Sequence, residues 1–168
     1  MNIGQVNELS ALKFVDAFGS VYKNSPTIAH ETHKRRPFRN KNELFEAFVR
    51  TVDKHSPARK LELIRKYDGL AGELAETQTL LPASTVTKKE TGLNALNKDQ
   101  RAALRELNDA YTAKFLFPLI ICTNELKKGH LLSVIKKRIE QDESREIRET
   151  IEQIHRIAWH RINDMIKD

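Results

Sequence analysis

Apolar positions along the chain recur at three- and four-residue intervals rather than alternately, the period of helices that bury one face. Ser10 stands as an N-cap before Leu12, Val15 and Phe18, and Gly19 closes that segment. Asn24-Ser25-Pro26 breaks the pattern, and a basic, irregular stretch runs from His30 to Asn42. A second helix is predicted from near Asn40, with Leu44, Phe45, Phe48, Val49 and Val52 on one face. Ser56-Pro57 is a start signal, Ser as N-cap and Pro at the first helical position. The helix it opens carries Leu61, Leu63 and Ile64 and is predicted to end near Tyr67-Asp68-Gly69. Leu70 to Leu96 reads as a loop with a short helical segment around Pro82, Ser84, Thr85 and Thr87, ended by Gly92. Asn97 with Gln100 three residues on resembles a capping box. The helix behind it passes Leu104, Leu107 and Tyr111 towards Phe115, and Pro118 is predicted to end or kink it. Leu131, Leu132, Ile135 and Ile139 mark another helix, and Ile147, Ile151, Ile154, Ile157, Ile162 and Ile166 a long final one. No alternating pattern leads into a tight hairpin, so the expectation is an all-α, single-domain helical bundle over residues 1–168.

Composition narrows the class. The 168 residues fit one domain, and 39% hydrophobic with 31% charged residues excludes a disordered chain. The most apolar run, Phe115 to Cys122, falls far short of the roughly 20 residues that cross a bilayer. Met1 to Gln5 lacks the basic and apolar regions of a secretory signal, and the single Cys122 excludes an internal disulfide or a multi-cysteine metal site. Together these point to a reducing, cytoplasmic compartment. The net charge of +6 permits an anionic partner without demanding one.

The isolated chemical signals are weak. His30 and His33 flank Glu31 at a spacing that could share a helix face, but Lys34, Arg35 and Arg36 crowd them and no third metal ligand follows, so they read as surface histidines. His155 and His160 are not four apart, and one is expected to face the core and the other solvent. Lys34-Arg35-Arg36 with Arg39 and Lys41 could neutralise phosphates. Without a helix-turn-helix signature or a stacking ladder, a solvated loop is the favoured reading over nucleic-acid binding. Cys122, in an apolar run, reads as core packing, since a nucleophile needs an activating base. Trp159 reads as core or interface. None of these discloses a reaction.

Read together, several segments carry more. They are Val21-Tyr22-Lys23-Asn24-Ser25-Pro26 followed by Arg36-Pro37-Phe38; Leu63-Ile64-Arg65 leading to Leu70-Ala71-Gly72; Pro82-Ala83-Ser84 leading to Gly92-Leu93; Leu107-Asn108-Asp109-Ala110-Tyr111 leading to Phe115-Leu116-Phe117-Pro118-Leu119-Ile120; and the run Ile154 to Ile162. In order and over nearly the whole chain, they resemble the 2-oxo-4-hydroxy-4-carboxy-5-ureidoimidazoline (OHCU) decarboxylases.

The resemblance implies an all-α bundle, usually a homodimer, acting on a small anionic substrate without metal or organic cofactor. The implied reaction is the last step of urate oxidation, loss of CO2 with stereospecific protonation to (S)-allantoin. In that family a His before a Pro does the acid–base work, and a Glu in a Ser-x-x-Glu-Gln motif holds the substrate. Backbone groups after a Phe-Gly-Phe-Pro turn and an Arg on the last helix line the pocket. Carried over position by position, Ser84 and Arg161 match, and Leu119, Ile120, Ile121, Cys122 and Thr123 occupy the backbone-contact stretch. Tyr67 stands at the His and Asp68 at the Pro; Thr87 stands at the Glu and Lys88 at the Gln, with Thr85 and Val86 inside the motif; Leu116 stands at the Gly.

Tyr67 and Thr87 are therefore the candidate catalytic residues. Tyr titrates near 10 where His titrates near 6.5, so Tyr67 would need its phenol lowered to cycle a proton, a service Lys88 and Lys89 could provide. The plainer reading of Tyr67 is a cap on the third helix, ring buried and hydroxyl wet. The alternative to catalysis is a family member that binds a small anion or a protein partner. A nucleic-acid-binding helical domain is a third, weaker reading.

Overall fold

Helix starts coincide with side chains able to accept a hydrogen bond from the first turn. The computed structural model describes residues 1–70, 96–127 and 129–167, among which every regular element is helical. Asn2 caps α1 (Ile3–Glu8) in a capping box with Gln5, Ser10 caps α2 (Ala11–Phe18), and Asn40 caps α4 (Lys41–Asp53). Ser56 accepts from the Arg59 N–H ahead of α5 (Pro57–Arg65), and Asn97 and Gln100 form the expected capping box ahead of α6 (Lys98–Phe115). α3 (Pro26–His33), α7 (Leu131–Ile139) and α8 (Glu143–Met165) complete the set. The expected loop between Leu70 and Leu96 lies outside the described residues.

The described fold divides into two compact units, Met1–Lys66 with Ile154–Asp168, and Tyr67–Gln153. The first is built on aromatic rings. Phe14 stacks on Phe48 at 6.2 Å and packs on Phe18 at 4.7 Å, and Tyr22 stacks on Phe48 at 5.9 Å. Each such ring contributes roughly 1.5–3 kcal/mol when fully buried. Ile154, Ala158 and Ile162 are fully buried in the same unit, and Trp159 packs on Phe45 at 5.2 Å. His155 is buried, its Nδ1 2.7 Å from the Tyr22 hydroxyl and its Nε2 3.3 Å from Asp53, whereas His160 is half-buried.

Three expectations for this unit need correction. The buried face of α2 is Phe14 and Phe18; Leu12 is 72% exposed, because Phe14 takes the core position one turn before Phe18. The stretch from His30 is not irregular at its start: α3 runs to His33, preset by Pro26 at its first position. Its buried face of Ile28, Ala29 and Thr32 is disguised by a polar residue whose hydroxyl donates to Ile28 O at 2.8 Å. The basic cluster is not merely solvated either. Arg36 Nη1 donates to the carbonyls of Asn7 (2.7 Å) and Leu9 (2.6 Å), its Nε to His33 O, and Arg35 Nε to Thr51 Oγ1. The Asn7 side chain in turn exchanges two hydrogen bonds with the Phe38 backbone. These charges buckle the α1–α2 connection to the α3–α4 connection.

In the second unit, Tyr111, Phe115 and Phe117 form an aromatic cluster, with Tyr111 and Phe115 rings 4.7 Å apart. α6 ends at Phe115, before Pro118, because Leu116 turns left-handed at φ 58°. On α7 and α8 the unit holds a buried ion pair, Arg138 with Glu146.

Candidate functional site

The chain leaves α5 through Lys66 and enters a bend at Tyr67, whose side chain is 7% exposed, followed by exposed Asp68. Gly69 then takes φ +65°; a Cβ there would lie 2.8 Å from Pro118 Cβ and 3.0 Å from Leu119 O, so only glycine allows the approach. Leu70 N–H completes it by donating to Leu119 O at 2.9 Å. The turn that carries Tyr67 and Asp68 is thus pressed onto the start of the Leu119–Thr123 stretch.

That stretch is irregular backbone with buried side chains at Leu119, Ile120, Ile121 and Cys122, and Thr123 opens a short 3-10 turn. Irregular buried backbone must find partners outside a helix or sheet. Ile120 O accepts from Arg138 Nη1 at 2.8 Å, and Cys122 N–H donates to Gln153 Oε1 at 2.8 Å. Arg138 is itself fixed by Glu146, which is fully buried and also receives the Tyr111 hydroxyl and the Gln141 amide. Burial first, and the hydrogen bond to Glu146 second, push the Tyr111 phenol well above the usual tyrosine range.

The remaining candidates belong to the first unit or fall outside the described residues. Arg161, half-buried in the first unit, donates from Nη1 to the carbonyls of Ser20 (2.9 Å) and Val21 (3.0 Å). Among the described residues its Nε and Nη2 have no hydrogen-bond partner, which leaves that edge of the fork for an anion. Ser84, Thr85, Val86, Thr87, Lys88 and Lys89 lie outside the described residues. Residue-by-residue reading missed Arg138, Glu146 and Gln153. Their signal was present: Glu146, Thr150 and Gln153 interrupt the face that also bears Ile151 and Ile154, and a polar residue on an apolar face is there to hold something.

Comparison with known proteins gives these features a context. A protein of Haloferax volcanii named 2-oxo-4-hydroxy-4-carboxy-5-ureidoimidazoline decarboxylase is 30% identical over 96% of this chain and 94% of its own length. A protein of the same name from Amia calva is 29% identical over 99% and 95%. A uric acid degradation bifunctional protein of a Bacillus species is 29% identical across this whole chain, which spans 33% of that protein. The crystal structure of an (S)-allantoin synthase matches 99% of this chain and 54% of its own with a TM-score of 0.80; at 20% identity that likeness shows the fold. The family model named OHCU decarboxylase matches residues 7–163, so almost every described element falls inside it, and the chain belongs to the OHCU decarboxylase family.

Proposed function

We propose that this chain is an active, cofactor-independent carboxy-lyase that converts 2-oxo-4-hydroxy-4-carboxy-5-ureidoimidazoline to (S)-allantoin in urate breakdown. The observation that carries the reading is the family match over residues 7–163. In this reaction the bond from ring carbon 4 to its carboxylate breaks. The electron pair forms a C4=C5 double bond while the π pair of the C5=N bond moves onto the ring nitrogen, which takes up a proton, and CO2 leaves. The enol then becomes the C4 carbonyl by losing its hydroxyl proton as a proton delivered to one face of carbon 5 fixes the configuration. The protein has to orient the carboxylate, stabilise the charge that develops, and place the proton.

In this reading Tyr67 gives the proton and Thr87, with Ser84, orients the substrate by hydrogen bonds. Arg161 anchors a carboxylate, and the Leu119–Thr123 backbone contacts the ring. The buried setting of Tyr67 on a turn that Gly69 pins to Leu119 supports its role. Asp68, Thr85, Val86 and Lys88 flank these groups along the chain. The reading includes a homodimer in the cytoplasm, which sedimentation and fractionation would check.

The test generates the short-lived urate oxidation product with a uricase, adds the protein, and follows the optical activity of the allantoin. Spontaneous decay gives a racemate and the enzyme gives one enantiomer. Racemic product would leave the second reading, a non-catalytic member that binds a small anion or a protein partner. That reading draws on Tyr67 and Thr87, which stand where the resemblance places a His and a Glu. Tyr67→Phe should lower turnover about 10²–10⁴-fold, the usual contribution of a general acid or base; unchanged turnover would remove the phenol from the mechanism. Tyr67→His with Thr87→Glu should raise turnover above that of the unaltered chain.

A further inference from the structure

We infer that Gln153 is a positioning residue for the reaction, acting through the Leu119–Thr123 backbone; the inference rests on the decarboxylase reading above. Gln153 is 9% exposed. Its Nε2 donates to Glu149 Oε1 at 2.7 Å, one turn earlier on α8, and this fixes which way the amide faces. Its Oε1 is thereby held as the acceptor for the Cys122 N–H.

Two further tethers act on the same stretch. Leu119 O accepts from Leu70 N–H, and Ile120 O from Arg138 Nη1. Backbone groups of residues 119, 120 and 122 are therefore engaged, while among the described residues neither the N–H nor the C=O of Ile121 has a hydrogen-bond partner. The Ile121 N–H shares its peptide unit with the Ile120 carbonyl held by Arg138, and the Ile121 C=O shares its own with the Cys122 N–H held by Gln153, so Ile121 offers a preorganised donor and acceptor whose placement depends on the two clamps. Gln153 is the clamp on the C-terminal side. Its loss should loosen substrate binding more than it slows the chemical step, since the proton-transferring group lies elsewhere.

The experiment measures kcat, KM and the enantiomer ratio for the unaltered chain and for Gln153→Leu, with helix content and Tm recorded alongside. We expect KM to rise about tenfold with kcat changed far less, at near-native helix content; small misplacements of binding groups have effects of about this size or larger. The double replacement Gln153→Glu with Glu149→Gln, which restores an acceptor facing Cys122 and a donor behind it, should return KM to within about threefold. Were Gln153→Leu not to fold, Glu149→Ala would serve. It frees the Gln153 amide to rotate and should raise KM about threefold by the same argument; unchanged KM there would overturn the inference. Racemic allantoin from the unaltered chain would overturn the decarboxylase reading and this inference with it. A single enantiomer from the unaltered chain, with unchanged KM in folded Gln153→Leu, would overturn this inference alone.

Discussion

Leu116 is where a single side chain meets the backbone most awkwardly. It caps α6 at φ 58° and ψ 27°, a left-handed conformation that costs an L-residue with a Cβ roughly 1–2 kcal/mol. Its side chain is 72% exposed, so little burial offsets that cost. Glycine is the residue that adopts this conformation freely, and the resemblance places glycine here. Leu116→Gly should therefore raise unfolding stability by roughly 0.5–1 kcal/mol, the relief of strain less the extra backbone entropy that glycine brings to the unfolded chain. Urea unfolding would show a higher midpoint with an unchanged slope. A lower midpoint would mean that the exposed leucine makes contacts that outweigh its strain.

Elements were legible where their ends carry chemistry. Ser10, Asn40, Ser56 with Pro57, and Asn97 with Gln100 each mark a start that the structure places at the same residue. Of these, the Asn97 box is the most complete, with Asn97 Oδ1 accepting from Gln100 N–H at 2.8 Å and Gln100 Oε1 from Asn97 N–H at 3.0 Å. Asn97→Ala should cost about 1 kcal/mol, because it strips the first turn of α6 of its side-chain acceptor. Circular dichroism with urea would show the loss, and an unchanged midpoint would mean that α6 is held by packing alone. Elements were illegible where polar residues do core work. Thr32 satisfies its hydroxyl on Ile28 O and Thr51, so α3 looked irregular in sequence. Glu146 sits at 0% exposure because Arg138, Tyr111 and Gln141 surround it, and no periodicity of apolar residues announces such a network. The candidate site was legible in part for the same reason. Tyr67 and the Leu119–Thr123 stretch follow from motif position, but the side chains that hold that backbone come from other helices, and polar residues on an apolar face signal that something is held without saying what.

At the scale of the molecule, one group in each unit makes stability depend on pH. In the first unit Glu31 meets His55 Nε2 at 2.9 Å and Arg59 Nη2 at 3.1 Å. Partial burial pushes its carboxyl up, but the hydrogen bonds and charges of His55 and Arg59 outweigh that and hold it below 4.5. A carboxylate lowered in the folded state adds stability that is present above its unfolded value and lost as pH falls through its folded one. The Glu31 side chain is 37% exposed, so solvent screening keeps this arm shallow. In the second unit the Tyr111 phenol is raised above 10.0 by burial and by Glu146. The sign is opposite: the stability is present below pH 10 and is lost as pH rises, because the unfolded chain ionises its tyrosine while the folded one resists. Urea unfolding followed between about pH 3 and 11 should therefore give a plateau with two declining arms. Glu31→Gln should flatten only the acid arm, and Tyr111→Phe only the alkaline one. Tyr111→Phe should also lower the plateau by about 1–3 kcal/mol, since the buried Glu146 loses a donor. Other groups titrate in both ranges, so the difference between variant and parent curves isolates each contribution. An alkaline arm of equal slope in Tyr111→Phe would show that the Tyr111–Glu146 bond does not resist ionisation, and that the alkaline loss of stability arises elsewhere.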